Sequence, residues 1–140
     1  MPHICQNLLV RCMDFRLTRE MNKWMEEKGY VSDCDLVSLA GAGKAIADDA
    51  KQGETLLDQI KLSVELHHSH CVVLMHHSQC GAYAAAYTFA SAEEEKAKQV
   101  EDMKKAAEII KTNNPGMAVK LVWANLQDDE GEEIEFEEIA

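Results

Sequence analysis

The chain has 140 residues, of which 46% are hydrophobic and 28% charged, a composition typical of one globular domain over residues 1–140. The formal net charge is -11, and residues 128–138 hold eight acids and no base, so no basic surface is expected for nucleic acid. No apolar run reaches the roughly 18 residues of a membrane helix, and the start of the chain lacks a signal-peptide pattern, so we expect a cytoplasmic protein without a membrane partner.

The first half of the chain alternates apolar runs with segments of helical periodicity. In chain order it predicts a strand, a helix, a second strand and a second helix, over residues 4–11, 18–28, 35–39 and 54–67. Thr18 is the expected N-cap of the first helix, and Gly53 is expected to break the chain before the second. One face of the first helix is predicted to be buried, and its apolar residues are Leu17, Met21, Trp24 and Met25.

The second half continues the alternation and ends in an acidic strand. It predicts a strand, a long helical region broken near Ser91, a further strand and an edge strand, over residues 71–75, 81–112, 118–124 and around Ile134 and Phe136. Strands separated by helices imply right-handed crossovers. We therefore predict an α/β fold: a mainly parallel sheet of about four strands plus an edge strand, with helices on both faces.

The five cysteines are expected to be reduced, because their number is odd and no secretion signal precedes them. Cys12 and the stretch His77-Ser78-Gln79-Cys80 each lie just past a predicted strand, and the carboxyl ends of parallel strands meet at one edge of a sheet. Since zinc prefers thiolate and imidazole, Cys12, His77 and Cys80 are candidate ligands of one zinc ion. The His-x-x-Cys spacing alone is a weak signal, because a buried histidine and an inert thiol would also explain it.

A second motif, Cys12-x-Asp14-x-Arg16, surrounds the first candidate ligand. Alternate residues of an extended segment point the same way, so these three side chains are expected to project together. Arg16 can hold the Asp14 carboxylate with two N–H bonds and keep it ionised, and the carboxylate can then orient a water on the zinc. Taken by themselves, Asp14 and Arg16 are equally explained as a surface ion pair.

In combination the two motifs resemble the beta-class carbonic anhydrases. The resemblance covers most of the chain: Ala40-Gly41-Ala42-Gly43 looks like the family's Ala-Gly loop, and Ser63-Val64-Glu65 looks like its Ser-x-Glu helix. It implies zinc held by the three candidate ligands, an Asp14–Arg16 dyad, and reversible hydration of carbon dioxide to bicarbonate by a zinc-bound hydroxide. It also implies a homodimer or a higher homo-oligomer.

The expected wall of the substrate pocket lies next to these motifs and comprises Gly41, Ala42, Gly43, Gly81 and Tyr83. His76 neighbours a candidate ligand and is a candidate proton shuttle, although strand alternation would point it away from the zinc. Two other functions remain open. One is a zinc hydrolase of carbonyl sulfide or carbon disulfide, and the other is a non-catalytic protein in which Asp14 closes the fourth zinc position.

A second group of candidate ligands, His67, His68, His70 and Cys71, lies near the end of the second predicted helix. A helix end cannot aim all of these side chains at one point. We interpret them as helix-end histidines near solvent rather than as a second metal site.

Overall fold

The computed structural model describes residues 3–140 and is built on a five-stranded sheet. In chain order the strands are β1 (Asn7–Arg11), β2 (Cys34–Ser38), β3 (Cys71–His77), β4 (Ala118–Leu126) and β5 (Ile134–Ile139). They lie in the order β2-β1-β3-β4-β5; the first four are parallel, and β5 is antiparallel to β4. The prediction of a mainly parallel α/β sheet with an edge strand is confirmed.

In the part of the chain that the structure describes, five α-helices cover the two faces of the sheet. They are α1 (Thr18–Glu27), α2 (Lys44–Ala47), α3 (Lys51–His67), α4 (Gly81–Ala86) and α5 (Ala92–Asn113). Helices α2, α3 and α5 pack on one face, whereas α1 and α4 pack on the other. The central strand β3 is buried along its whole length, which explains why its apolar run does not alternate with polar residues. Within residues 3–140, no helix combines the length and the apolar character needed to cross a bilayer.

The first helical segment begins earlier than predicted. A 3-10 turn (Phe15–Leu17) precedes α1, so the prediction that Thr18 is the N-cap was wrong. The capping side chain is Asp14, whose carboxylate accepts the backbone N–H of Arg16 at 2.9 Å. One candidate functional residue therefore also starts the helical segment. The predicted apolar face of α1 is buried as expected.

Gly53 lies inside α3 and does not break the chain, so this prediction was also wrong. A Cβ atom at this position would lie 2.5 Å from the carbonyl oxygen of Ala45 in α2. The glycine is therefore required by the close approach of two helices rather than by a turn. The predicted break near Ser91 is confirmed, since the Ser91 hydroxyl caps α5 by accepting the N–H of Glu94.

Strand β3 is two residues longer than predicted and includes both His76 and His77. The pairing with β4 continues to its last residue, where His77 lies opposite Ala124. Successive residues of a strand point to opposite faces, so the two histidines belong to different sides of the sheet. This placement determines which of them can reach Cys12.

Candidate metal centre

Three buried side chains from separate elements meet at the carboxyl edge of the sheet. Cys12 follows β1, His77 ends β3, and Cys80 is the residue before α4. One ligand atom from each lies within 4.8 Å of the other two, and the two Sγ atoms are 4.0 Å apart. A tetrahedral zinc ion with zinc–sulfur bonds of about 2.3 Å holds two sulfur ligands roughly 3.8 Å apart. The separation of the sulfurs therefore suits a metal ion between them.

The His77 ring is oriented by its own turn. Its Nδ1 lies 2.7 Å from the carbonyl oxygen of Ser78, a position in which Nδ1–H donates and Nε2 carries the free lone pair. The ring is fully buried, and Nε2 has no hydrogen-bond partner in the described part of the chain. Buried polar atoms are nearly always paired, and metal-binding histidines typically donate their other N–H to a carbonyl. The residues present therefore fit a bound metal cation.

The two thiols are held in an arrangement that favours a thiolate. The hydrogen bond from the Cys80 thiol is the largest cause of the lowered pKa of Cys12; the nearby His77 ring and the Gly41 backbone N–H act in the same direction, and burial opposes them. The same thiol–thiol contact and burial raise the pKa of Cys80. On a bound metal cation both sulfurs would be thiolates, because coordinated thiols ionise.

The Asp14 carboxylate lies next to this group and is held by Arg16. Arg16 donates from Nη2 to Oδ2 at 2.8 Å and from Nε to Oδ1 at 3.1 Å. Hydrogen bonding from Arg16 is the largest cause of the lowered pKa of Asp14 and outweighs partial burial. Oδ2 also lies 3.8 Å from His77 Nε2, so a charged carboxylate faces the same space as the imidazole lone pair.

Arg16 also connects the two loops that carry the candidate ligands. Its guanidinium donates from Nη2 to the Gln79 carbonyl oxygen at 2.9 Å and from Nη1 to the Gln79 side-chain oxygen at 3.2 Å. Gln79 has a φ of 57°, the left-handed conformation that turns its carbonyl toward the arginine. The Asp14–Arg16 pair is therefore a brace between two strand ends and more than a surface ion pair.

A buried arginine at the end of β1 supports the loop that follows this strand and carries Cys12 and Asp14. Arg11 donates from Nε to the Cys12 carbonyl oxygen at 2.6 Å and from Nη2 to the Asp14 carbonyl oxygen at 2.7 Å. Burial lowers its pKa, while the Cys12 and Asp14 side chains oppose that effect. The sequence interpretation missed Arg11. The available signal was a charged residue at the end of an otherwise apolar strand.

Two residues of α5 hold the loop that follows β3 and carries Cys80. Glu95 accepts the backbone N–H groups of Gln79 and Cys80 at 3.0 and 3.1 Å, and Gln99 donates to the carbonyl oxygen of His77 at 2.9 Å. Gln99 also donates to Glu95 at 3.1 Å, one helical turn away. The sequence interpretation missed both residues, because Glu95 is one of three consecutive glutamates and nothing local distinguishes it.

His76 faces the other side of the sheet and is not placed to serve the candidate metal centre. Its Nδ1 lies 3.0 Å from the Gln99 side-chain oxygen, and its Nε2 accepts the Gly43 backbone N–H at 3.0 Å. Complete burial lowers the pKa of His76 to about 4, so the ring is neutral. Its role is to join β3, α5 and the glycine loop.

The five predicted pocket residues occupy different environments. Gly41 donates its N–H to Cys12 Sγ at 3.5 Å, and its φ of 76° suits glycine. Ala42 and Gly43 are buried beside it, whereas Gly81 is exposed at the start of α4. Tyr83 is fully buried in the same cluster as Cys12 and Cys80, and its hydroxyl donates to Asp102 at 2.8 Å. The pocket role of these residues remains a prediction.

Replacing Glu95 with glutamine is expected to weaken zinc binding by roughly 10–100-fold, the usual cost of losing a partner behind a metal ligand. The amide offers one oxygen acceptor in place of two, so the N–H of Gln79 or of Cys80 loses its partner. The measurement is competition with a chromophoric chelator. Glu93→Gln, an exposed change on the same helical turn, is the matched control; equal affinities for the two variants would contradict the bracing role.

Comparison of the sequence with known families and proteins finds one family model and relatives in two species of Rickettsia. A family model described as "Putative carbonic anhydrase" matches residues 3–135. An uncharacterized protein of Rickettsia bellii (strain RML369-C) is 35% identical over 117 residues, which are 80% of this chain and 71% of that protein. An uncharacterized protein of Rickettsia conorii (strain ATCC VR-613 / Malish 7) is 36% identical over 117 residues, which are 80% of this chain and 63% of that protein.

Two solved structures share the fold. A tetrameric beta-carbonic anhydrase from the filamentous ascomycete Sordaria macrospora superimposes with a TM-score of 0.55 at 16% identity, covering 99% of this chain and 84% of that one. The beta-carbonic anhydrase CafA of Aspergillus fumigatus superimposes with a TM-score of 0.53 at 14% identity, covering 98% and 76% of the two chains. At these identities the likeness concerns the fold.

Proposed function

The chain belongs to the family described as putative carbonic anhydrase, and from that premise we propose that it catalyses the zinc-dependent, reversible hydration of carbon dioxide to bicarbonate. The observation that carries the proposal is the unpaired, fully buried Nε2 of His77, which faces two thiols and an ionised carboxylate. A structural role alone would leave this lone pair without a partner at a cost of about 1–3 kcal/mol.

Cys12, His77 and Cys80 are the proposed zinc ligands. Zinc held there supplies Lewis acidity, which allows water to act as a nucleophile near neutral pH. The chain contributes the shape of the site: Arg11 fixes the loop that follows Cys12, and Glu95 fixes the N–H of Cys80. The three ligands therefore reach the metal from a braced framework, and little reorganisation is needed on binding.

Asp14 is the proposed orienting residue. Both of its oxygens accept hydrogen bonds from Arg16, so the carboxylate is held in one direction and stays ionised. An ionised carboxylate is an acceptor only, so it takes a hydrogen bond from the reacting water and turns the oxygen lone pair toward carbon dioxide. Arg16 keeps the acceptor aligned, and no proton needs to reside on Asp14.

A homo-oligomer in the cytoplasm is the proposed working form. Met13 and Phe15 alternate with the buried or paired residues of the first motif, and 83% of the Phe15 surface is exposed. Exposed apolar side chains beside a reaction centre suit contact with another subunit. The Sordaria macrospora protein that shares the fold is tetrameric, which supports the same arrangement for this chain.

The proposal is tested by measuring zinc content and stopped-flow carbon dioxide hydration between about pH 6.5 and pH 9, with metal-stripped and zinc-restored protein compared. We expect zinc-dependent hydration that is lost on stripping and returns on restoration. Bound zinc without hydration at any pH would contradict catalysis and favour the non-catalytic function, in which Asp14 is the fourth zinc ligand. The short distance from Asp14 to His77 makes this the main alternative. Hydrolysis of carbonyl sulfide without hydration would identify the other enzyme class.

A further inference from the structure

We propose that Cys5, Asp35 and His67, joined by His3, form a second site for a divalent transition-metal cation such as zinc. These residues lie around the amino ends of β1 and β2, at the edge of the sheet opposite the centre described above. The proposal does not depend on the catalytic function. It assigns a metal-binding role to side chains that the proposed reaction does not use.

The three main side chains converge from separate parts of the chain. Cys5 precedes β1, Asp35 lies in β2, and His67 is the last residue of α3. One ligand atom from each lies within 4.8 Å of the other two, a spacing that small side-chain rotations reduce to the roughly 3.3–3.8 Å of tetrahedral zinc ligands. The main chain fixes two of them together, since the Cys5 N–H donates to the His67 carbonyl oxygen at 3.0 Å.

The Asp35 carboxylate is held in place by hydrogen bonds from neighbouring side chains, as metal ligands commonly are. The Ser63 hydroxyl donates to Asp35 Oδ2 at 2.7 Å and lies 2.7 Å from the Ser69 hydroxyl. Both serines are buried, with 6% and 3% of their surfaces exposed. Asp35 also lies 2.7 Å from His67 Nδ1, so the carboxylate has a fixed direction before any cation arrives. Buried partners of this kind fix the direction of a ligand, and their hydrogen bonds help to keep the Asp35 carboxylate ionised by lowering its pKa.

A fourth ligand and space for the cation are present on the outer side. The ring centroid of His3 lies 5.1 Å from that of His67. A surface depression of about 240 Å³ is lined by both histidines, Cys5 and Asp35. Because His3 is exposed, its side chain is free to turn toward a cation held by the other three. A set of two imidazoles, one thiolate and one carboxylate suits zinc and similar borderline cations better than magnesium or calcium.

The charge balance also favours a cation. As ligands, the Cys5 thiolate and the Asp35 carboxylate would carry two negative charges, which a divalent cation neutralises in a chain of net charge -11. Binding releases the Cys5 thiol proton, so affinity is expected to rise with pH. The competing explanation is a plain His67–Asp35 ion pair with an inert thiol nearby.

The test is zinc titration of the metal-stripped full-length chain against a chromophoric chelator, together with cobalt absorption spectra. We expect two zinc equivalents for the native chain, one for Cys5→Ala, and one for the double variant Cys12→Ala/Cys80→Ala. In that double variant, cobalt is expected to give a thiolate charge-transfer band that disappears when Cys5→Ala is added. Ser63→Ala is expected to weaken binding at the second site by roughly 10–100-fold.

His70→Gln is the matched control, because this exposed histidine lies near the site but outside it. It is expected to bind two equivalents. Circular dichroism verifies that each variant is folded, and His67→Gln provides an independent ligand substitution if Cys5→Ala is unstable. Unchanged zinc stoichiometry in both Cys5→Ala and His67→Gln, or no bound zinc in the folded Cys12→Ala/Cys80→Ala variant, would overturn the second site and leave only the ion pair.

Discussion

Cys80→Ser is expected to remove zinc from the carboxyl edge of the sheet and to abolish carbon dioxide hydration. Cys80 supplies one of two sulfur atoms at the centre and is fully buried, so no other side chain can replace it. A serine hydroxyl does not ionise near neutral pH and is a much poorer zinc ligand than a thiolate. Removing a residue that forms a hydrogen bond with a metal ligand already lowers metal affinity by roughly 10–100-fold. Removing the ligand itself is therefore expected to lower zinc affinity by more than about 100-fold.

The measurement combines metal analysis, competition titration and stopped-flow hydration. Cys71→Ala is the matched control, since Cys71 is a buried thiol at the start of the strand that ends in His77. It is expected to retain zinc and activity and to lose only the stability that accompanies removal of a buried sulfur. If folded Cys80→Ser binds as much zinc as the native chain and with the same affinity, zinc does not bind at the carboxyl edge of the sheet.

Patterns of apolar residues were sufficient to predict the sheet. The runs at β1, β3 and β4 are long enough and apolar enough that a buried parallel strand is the natural structure for each. Two strand-end motifs then became one site, because the topology of such sheets brings the carboxyl ends together. This inference needed no long-range contact to be known in advance.

The ends of strands and helices were harder to predict from the sequence where polar residues are buried. β3 continues through His76 and His77 because each imidazole finds a partner, and one of these partners is Gln99, far along the chain on α5. A local sequence pattern does not show that a residue far along the chain will form a hydrogen bond with a buried polar side chain. The same limit applies to Gly53, whose requirement is the nearby carbonyl group of α2 rather than anything in its own sequence neighbourhood.

The supporting residues of the metal centre were missed for a related reason. Arg11 and Glu95 bind backbone groups of the two ligand loops, and backbone groups carry no sequence signature. The ligands themselves are recognisable, because zinc selects thiolate and imidazole. The residues that hold the ligands in place are selected only by geometry, so they become visible once the fold is known.

Asp14→Asn is expected to lower the carbon dioxide hydration rate by about 100-fold while zinc remains bound, an effect typical of losing the alignment of a reacting group. Asparagine has nearly the same size and can still cap the 3-10 turn by accepting the Arg16 N–H, so the fold is expected to be retained. It lacks the charge and one of the two oxygen acceptors, so the reacting water loses its fixed orientation.

The pH dependence of this variant separates orientation from simple titration. Arg16 lowers the pKa of Asp14 below its ordinary value near 4, so the carboxylate is ionised in the native protein at every pH above that value. The ratio of native to variant rates is therefore expected to be constant between about pH 6.5 and pH 9. Glu20→Gln, a change in a half-buried acid on α1, serves as the control and is expected to leave the rate unchanged.

The same variant distinguishes the two positions that Asp14 can take toward zinc. If Asp14 is an orienting residue, its substitution leaves the zinc affinity nearly unchanged, because the carboxylate accepts hydrogen bonds from Arg16 and from the reacting water and does not bind the metal. As a fourth ligand it would compete with that water, so its removal would weaken zinc binding and preserve or increase the rate. A rate at or above that of the native protein, together with weaker zinc binding, would therefore overturn the proposed role of the Asp14–Arg16 pair.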